Sequence, residues 1–142
     1  MVRAFLDANI FVAAAASSEG GSSLLLETAK RGQLEVVSSR LALLEAERNI
    51  RKKLPFQALK RFHRLLQEAP LLIVPAPSTE EVRRYQSWIN EKDAPILAAA
   101  VSGKANFLIT LDRRDFFSEK LRGARLPFKV VTPRDFFREA ML

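Results

Sequence analysis

Among its 142 residues the chain has no cysteine and a single histidine, His63. The first absence removes disulfides, thiol nucleophiles and thiolate-bound zinc. The second leaves little from which to build a Ser–His–Asp triad or a multi-histidine metal centre, since His63 lies in the basic run KRFHRLL. Long hydrophobic runs are missing too. None approaches the roughly 20 residues that a membrane-crossing helix needs. The first apolar stretch is broken by Asp7 and Asn9, so it does not read as a signal peptide. The expectation is a cytoplasmic protein with no membrane partner. There is no repeat, low-complexity tract or internal linker, and the length suits one domain over 1–142 with a substantial core.

Charge is unevenly spread. The chain carries 23 basic and 16 acidic residues, a formal net charge of +7. Arg48, Arg51, Lys52, Lys53, Lys60, Arg61 and Arg64 account for the whole excess, and no acid falls between Arg48 and Arg64. Such a local patch can follow a phosphate backbone by releasing its counterions. It can equally be a solvated helix face that keeps the protein soluble, or a surface for an acidic protein.

Short apolar runs alternate with helical patterns. Strands are expected at Val2–Leu6, Leu34–Val37, Leu71–Val74, Phe107–Leu111 and Phe128–Val131. Helices are expected at Ser22–Arg31 with Gly32 as a stop, from Ser39 to about Lys53, and at Phe56–Glu68. Others are expected from a capping box at Ser78 and Glu81 to about Asn90, at Ala94–Ser102, at Arg113–Lys120, and after Thr132 with Pro133 in its first turn. Strands separated by helices predict an α/β fold with a mainly parallel sheet covered on both faces. FLITL and PLLIV are continuous apolar runs, as doubly covered strands should be. Periodicity does not give the strand order.

Four acids stand at the ends of these elements. Asp7 ends the first strand, Asp112 ends FLITL, Asp93 opens the helix APILAAAV, and Glu45 lies in the helix SRLALLEAERNIRKKL. In an open parallel sheet, groups just past the strand carboxyl ends collect in one crevice. Crowded carboxylates repel unless a cation or a proton compensates, and a hard divalent cation such as Mg²⁺ or Mn²⁺ is the partner expected for oxygen ligands. Each acid also has a plainer reading. Asp7 and Asp93 can be turn or N-cap residues, and Glu45 and Glu47 can pair with Arg48, Arg51 or Lys52. Glu45 and Glu47 point to different sides of their helix, and the apolar stripe of Ala42, Leu43, Ala46, Ile50 and Leu54 runs closer to Glu47. Periodicity thus leans to Glu47 as the partly buried carboxylate. Asp115 could cap a short helix or join the site. Thr110 could supply a hydroxyl at the same strand end.

In this order the blocks FLDANIF, VVSSRLALLEAERNI and DAPILAAAVSGKANFLITLDRRDF resemble the PIN domain, the ribonuclease domain of many VapC-type toxins. The resemblance covers essentially the whole chain. It maps the family's acids onto Asp7, Glu45, Asp93 and Asp112, with Glu45 favoured over Glu47 by its spacing from the serine. Asp115 matches an acid found in some members, and Asn9 and Thr110 match accompanying polar positions. The resemblance implies a Rossmann-like, three-layer α/β/α fold with sheet order 3-2-1-4-5. It further implies Mg²⁺- or Mn²⁺-dependent hydrolysis of RNA, with Asp7, Asp93, Asp112 and Asp115 toward metal and Glu45 toward metal or the attacking water. An antitoxin protein and a homodimer follow from the family alone. A haloacid-dehalogenase-type phosphatase would need a second Asp where Asn9 stands, and a phosphoreceiver domain would need an acceptor Asp after the third strand, which ends in Val74-Pro75. The remaining alternative is a PIN module that binds or helps to process RNA without cleaving it.

Overall fold

A computed structural model of the chain describes residues 1–141. Leu142, the last residue of the expected unit, lies outside the described residues. Five strands form one sheet in which every pairing is parallel: β1 (Arg3–Leu6), β2 (Glu35–Ser39), β3 (Leu71–Val74), β4 (Phe107–Ile109) and β5 (Lys129–Val131). Their order is β3-β2-β1-β4-β5, as the resemblance implied. The order reverses between β1 and β4, and the register sets Leu6 beside Ile109. Their carboxyl ends therefore open into the crevice that such a switch point creates.

Eight helices connect and cover the strands in three α/β/α layers: α1 (Ala8–Ala16), α2 (Gly21–Lys30), α3 (Arg40–Lys53), α4 (Phe56–Glu68), α5 (Thr79–Tyr85), α6 (Ala94–Ser102), α7 (Glu119–Arg122) and α8 (Pro133–Ala140). Helix α1 packs on α2, α3 and α4, and α5 packs on α6, which also meets β2. The core holds Phe5, Phe11, Phe62, Phe116 and Phe136 with β1, the apolar side of α1 and nearly all of α6. Each such large side chain contributes roughly 1.5–3 kcal/mol when removed from water. Gly103 lets the end of α6 approach β3, because a Cβ there would stand 2.7 Å from Val74 Cγ1.

Four expectations change. The segment ANIFVAAAA, given no element from its pattern, is α1, capped by Asp7. Its residues are nearly all apolar, so it has no amphipathic period to detect. The helix after Ser78 ends at Tyr85, with turns up to Asn90. The helix expected at Arg113–Lys120 is a series of turns, and α7 starts later, where Ser118 accepts a hydrogen bond from Leu121 N–H. PLLIV is not covered on both faces. It is β3, an edge strand, with Leu72 and Ile73 exposed.

Candidate active site

Asp7 is the best-held of the acids. The β1–β4 register brings Thr110 beside it, and the Thr110 hydroxyl donates to Asp7 Oδ2 at 2.8 Å. Asn9 Nδ2 donates to the same oxygen at 3.3 Å, and Ala8 N–H donates to Asp7 Oδ1 at 2.7 Å. Asn9 also accepts from Leu111 N–H, and Thr110 Oγ1 accepts from Asp112 N–H, so the loop after β4 is tied to the start of α1. Asp7 thus does cap a helix, but one oxygen does so while the other faces the strand end. Its side chain is buried, and burial pushes its pKa up to about 6 against the pull of these hydrogen bonds; the charges of Asp93 and Glu45 add to the rise.

Asp93 stands at the start of α6 without capping it through its side chain. It is held by Asn90 instead: Asn90 Nδ2 donates to Asp93 Oδ2 at 2.9 Å, and Asp93 N–H donates to Asn90 Oδ1 at 2.9 Å. Its pKa is raised, first by burial and then by the charges of Asp112 and Asp115. Asp112 Oδ1 accepts from the N–H groups of Arg114 and Asp115, which folds the turn so that Asp115 points the same way.

These acids line one cleft of about 580 Å³ at the carboxyl edge of the sheet, together with Glu45. One carboxylate oxygen each from Asp93, Asp112 and Asp115 lies within 4.8 Å of the other two. Octahedral ligands at ~2.0–2.1 Å from an Mg²⁺ ion are closer together than this limit, so the three side chains would have to close in to share a hard cation. The all-oxygen donor set fits the same group; the raised pKa values of Asp7 and Asp93 come first from burial, with neighbouring carboxylates adding to the rise.

Glu45 reaches the cleft from α3. Glu47 does not: its carboxylate faces α4, 3.5 Å from His63 Nε2 and 3.9 Å from Arg51 Nε. The lean of the helical period toward Glu47 therefore marks the α3–α4 contact, not the cleft. Lys92, Asn49 and Asn90 also line the site and were not singled out from sequence. Lys92 Nζ lies 3.3 Å from Glu45 Oε1 and is the one cation lining the cleft among the described residues. Asn49 was findable, since it follows Glu45 by four positions on one helix face. Asn90 was findable from the polar run NEKD that leads into Asp93.

A family model of the PIN domain matches residues 3–114, a span that contains Asp7, Glu45, Asp93 and Asp112. The chain belongs to the PIN domain family. Two solved structures share this PIN fold. VapBC2 from Rickettsia felis, bound to a DNA fragment from their promoter, has a chain 18% identical with a TM-score of 0.66, covering 92% of this chain and 98% of that one. PAE2754 from Pyrobaculum aerophilum is 19% identical with a TM-score of 0.59, covering 96% and 88%. A search of curated protein sequences finds no match. At such identities the likeness carries the fold, and the site of this PIN domain rests on its own residues.

The basic window divides. Arg48, Arg51, Lys52, Lys53, Lys60 and Arg64 are exposed on α3 and α4. Arg61 is not free: its Nη1 donates to Ala15 O near the end of α1 at 2.6 Å. It neutralises the carbonyl end of that helix and is removed from the set of phosphate contacts expected from sequence. No helix is long and apolar enough to cross a membrane among the described residues.

Proposed function

We propose that this PIN domain is a divalent-metal-dependent endoribonuclease and the toxin of a toxin–antitoxin pair. The observation that carries the reading is the gathering of Asp7, Glu45, Asp93, Asp112 and Asp115 in one cleft at the switch point of the sheet. Family membership supports nuclease chemistry, and the likeness to a VapBC2 structure supports looking for a protein partner.

Asp93, Asp112 and Asp115 would hold Mg²⁺ or Mn²⁺, with Asp7 beside them. The bound cation would supply charge neutralisation for the scissile phosphate and a more acidic water. The protein residues do the rest. Thr110 and Asn9 fix the Asp7 carboxylate in place at the cleft wall. Asn90 holds Asp93 with its carboxylate turned into the cleft. Glu45 orients or deprotonates the attacking water. Lys92, paired with Glu45, is placed to meet phosphate charge at the cleft mouth. The exposed cations of α3 and α4 hold RNA further along. An antitoxin that covers the cleft and a homodimer complete the reading.

Cleavage of labelled RNAs, including tRNA and rRNA fragments, with Mg²⁺, Mn²⁺ or EDTA tests it. Asp7→Asn should lose cleavage by at least about 100-fold, the size of a lost general acid–base or charge-stabilising group, while RNA binding persists. Cleavage by Asp7→Asn equal to that of the unmodified protein would refute the role of Asp7. Binding by both proteins with cleavage by neither, across all metals and RNAs, would favour the non-catalytic RNA-binding module.

A further inference from the structure

A second cavity of about 350 Å³ adjoins the acidic cleft, and Asn90 and Asp115 line both. Its other walls bring together Trp88, Arg114, Lys120, Ser118 and Gln86. Trp88 is the only tryptophan of the chain; it is half-buried, packing in part against the core while also lining this cavity. The ring of the buried Tyr85 packs edge-on against it, with centroids 5.5 Å apart, and limits its rotation. Arg114 and Lys120 are exposed, and neither has an acidic partner within ion-pair distance among the described residues. The turns after Tyr85 and the turns after Asp112, the two places where helices expected from sequence give way, form the facing walls.

We propose that this cavity is a nucleobase subsite that takes one unpaired nucleotide next to the scissile phosphate, with its base on Trp88 and its phosphate toward Arg114 and Lys120. The inference rests on the nuclease reading of the neighbouring cleft and adds to it a base-binding subsite with named residues. An aromatic face accepts any base by stacking, worth ~1–3 kcal/mol per base, and a guanidinium suits phosphate. The cavity is at the small end of ligand pockets, which run to ~300–1,000 Å³, so it suits one nucleotide and not a long strand. A base within a duplex is already stacked on its neighbours and does not enter such a pocket. Loops, bulges and ends do. Ser118 and Gln86 add hydroxyl and amide groups that can read a base edge.

Trp88 reports its own occupancy. Its fluorescence is followed in EDTA while single-stranded RNA pentamers of each base are added, alongside the same sequences as duplexes and as single-stranded DNA. Saturable quenching by single-stranded RNA and not by duplex is expected. Equal quenching by single-stranded DNA supports a subsite that recognises base and phosphate without the sugar. Arg114→Ala should weaken the quenching affinity about tenfold. In cleavage assays Trp88→Ala should raise KM about tenfold, with the smaller part of the loss in kcat, and should blur the base preference beside the cut. Trp88→Phe should restore both, which a purely structural role of the indole would not require. RNA that binds by filter assay but leaves Trp88 fluorescence unchanged overturns the subsite and leaves the nuclease reading standing. Quenching without cleavage by the unmodified protein in any metal overturns the nuclease reading and keeps the subsite as a base-binding pocket. Equal quenching by duplex overturns the single-strand assignment.

Discussion

Asp7 carries three hydrogen bonds to its carboxylate and still has a raised pKa of about 6. Burial therefore outweighs the bonds, and the neighbouring acids add to it. A carboxyl with a raised folded-state pKa binds its proton more tightly when folded. Its contribution to stability is fully present below about pH 4 and is lost as pH rises through about 6. At 1.36 kcal/mol per pH unit the loss is at most roughly 3 kcal/mol. Urea melts in EDTA should show the protein weakening between pH 4 and 7, with Asp7→Asn largely flattening that trend and melting higher at pH 7. Asp93, raised for the same cause, leaves a residual slope. Identical pH trends for the two proteins would mean that Asp7 is not charged against its surroundings. The coupling is also why the site suits a cation: the charge that burial resists is the charge a metal would offset.

Helix α3 separates two carboxylates that its sequence nearly confuses. Glu45 enters the cleft and Glu47 joins the contact with α4. If Glu45 orients or deprotonates water, Glu45→Gln should lower kcat by about 100-fold or more, while Glu47→Gln should leave kcat within a fewfold. Steady-state cleavage of one RNA by both variants decides it, and the reverse ranking would return the role to Glu47. The acids at Asp7, Asp93 and Asp112 were legible because strand ends and helix starts are marked by abrupt polar residues after apolar runs. The sheet order was legible only through the resemblance, since pairing partners leave no period in the chain. The helix α1 was missed because ANIFVAAAA is apolar almost all round, which leaves no polar face to mark its period. The exposure of Leu72 and Ile73 was missed because an apolar run looks the same at a sheet's edge as at its centre. Trp88 drew no notice because a single residue in a turn belongs to no pattern until the fold sets it beside the acids.

Across the whole molecule, the net charge of +7 opposes a cleft lined by acids. On the proposed nuclease reading, RNA would be held mainly away from the cleft. Helix α3 links the regions: Glu45 lies eight positions before Lys53, about 12 Å along the axis at 1.5 Å per residue. The exposed Arg51, Lys52 and Lys53 sit in its last turn, where they also favour the helix dipole, so a structural role for them is a real competitor. Salt separates the two roles. Each phosphate neutralised on a single strand contributes a slope of about −0.7 in log K against log salt. Replacing Arg51, Lys52 and Lys53 together by Gln should make that slope shallower by about 2, with kcat nearly unchanged at saturating RNA. Arg61→Ala should do the opposite, costing stability through the lost bond to Ala15 O and leaving the slope within error. RNA affinities from 50 to 300 mM KCl, with melts of both variants, distinguish these outcomes. An unchanged slope in the triple variant would make the C-terminal turn of α3 a solvated end that only stabilises its helix. The path of RNA would then have to run over Arg114 and Lys120 on the other side of the cleft.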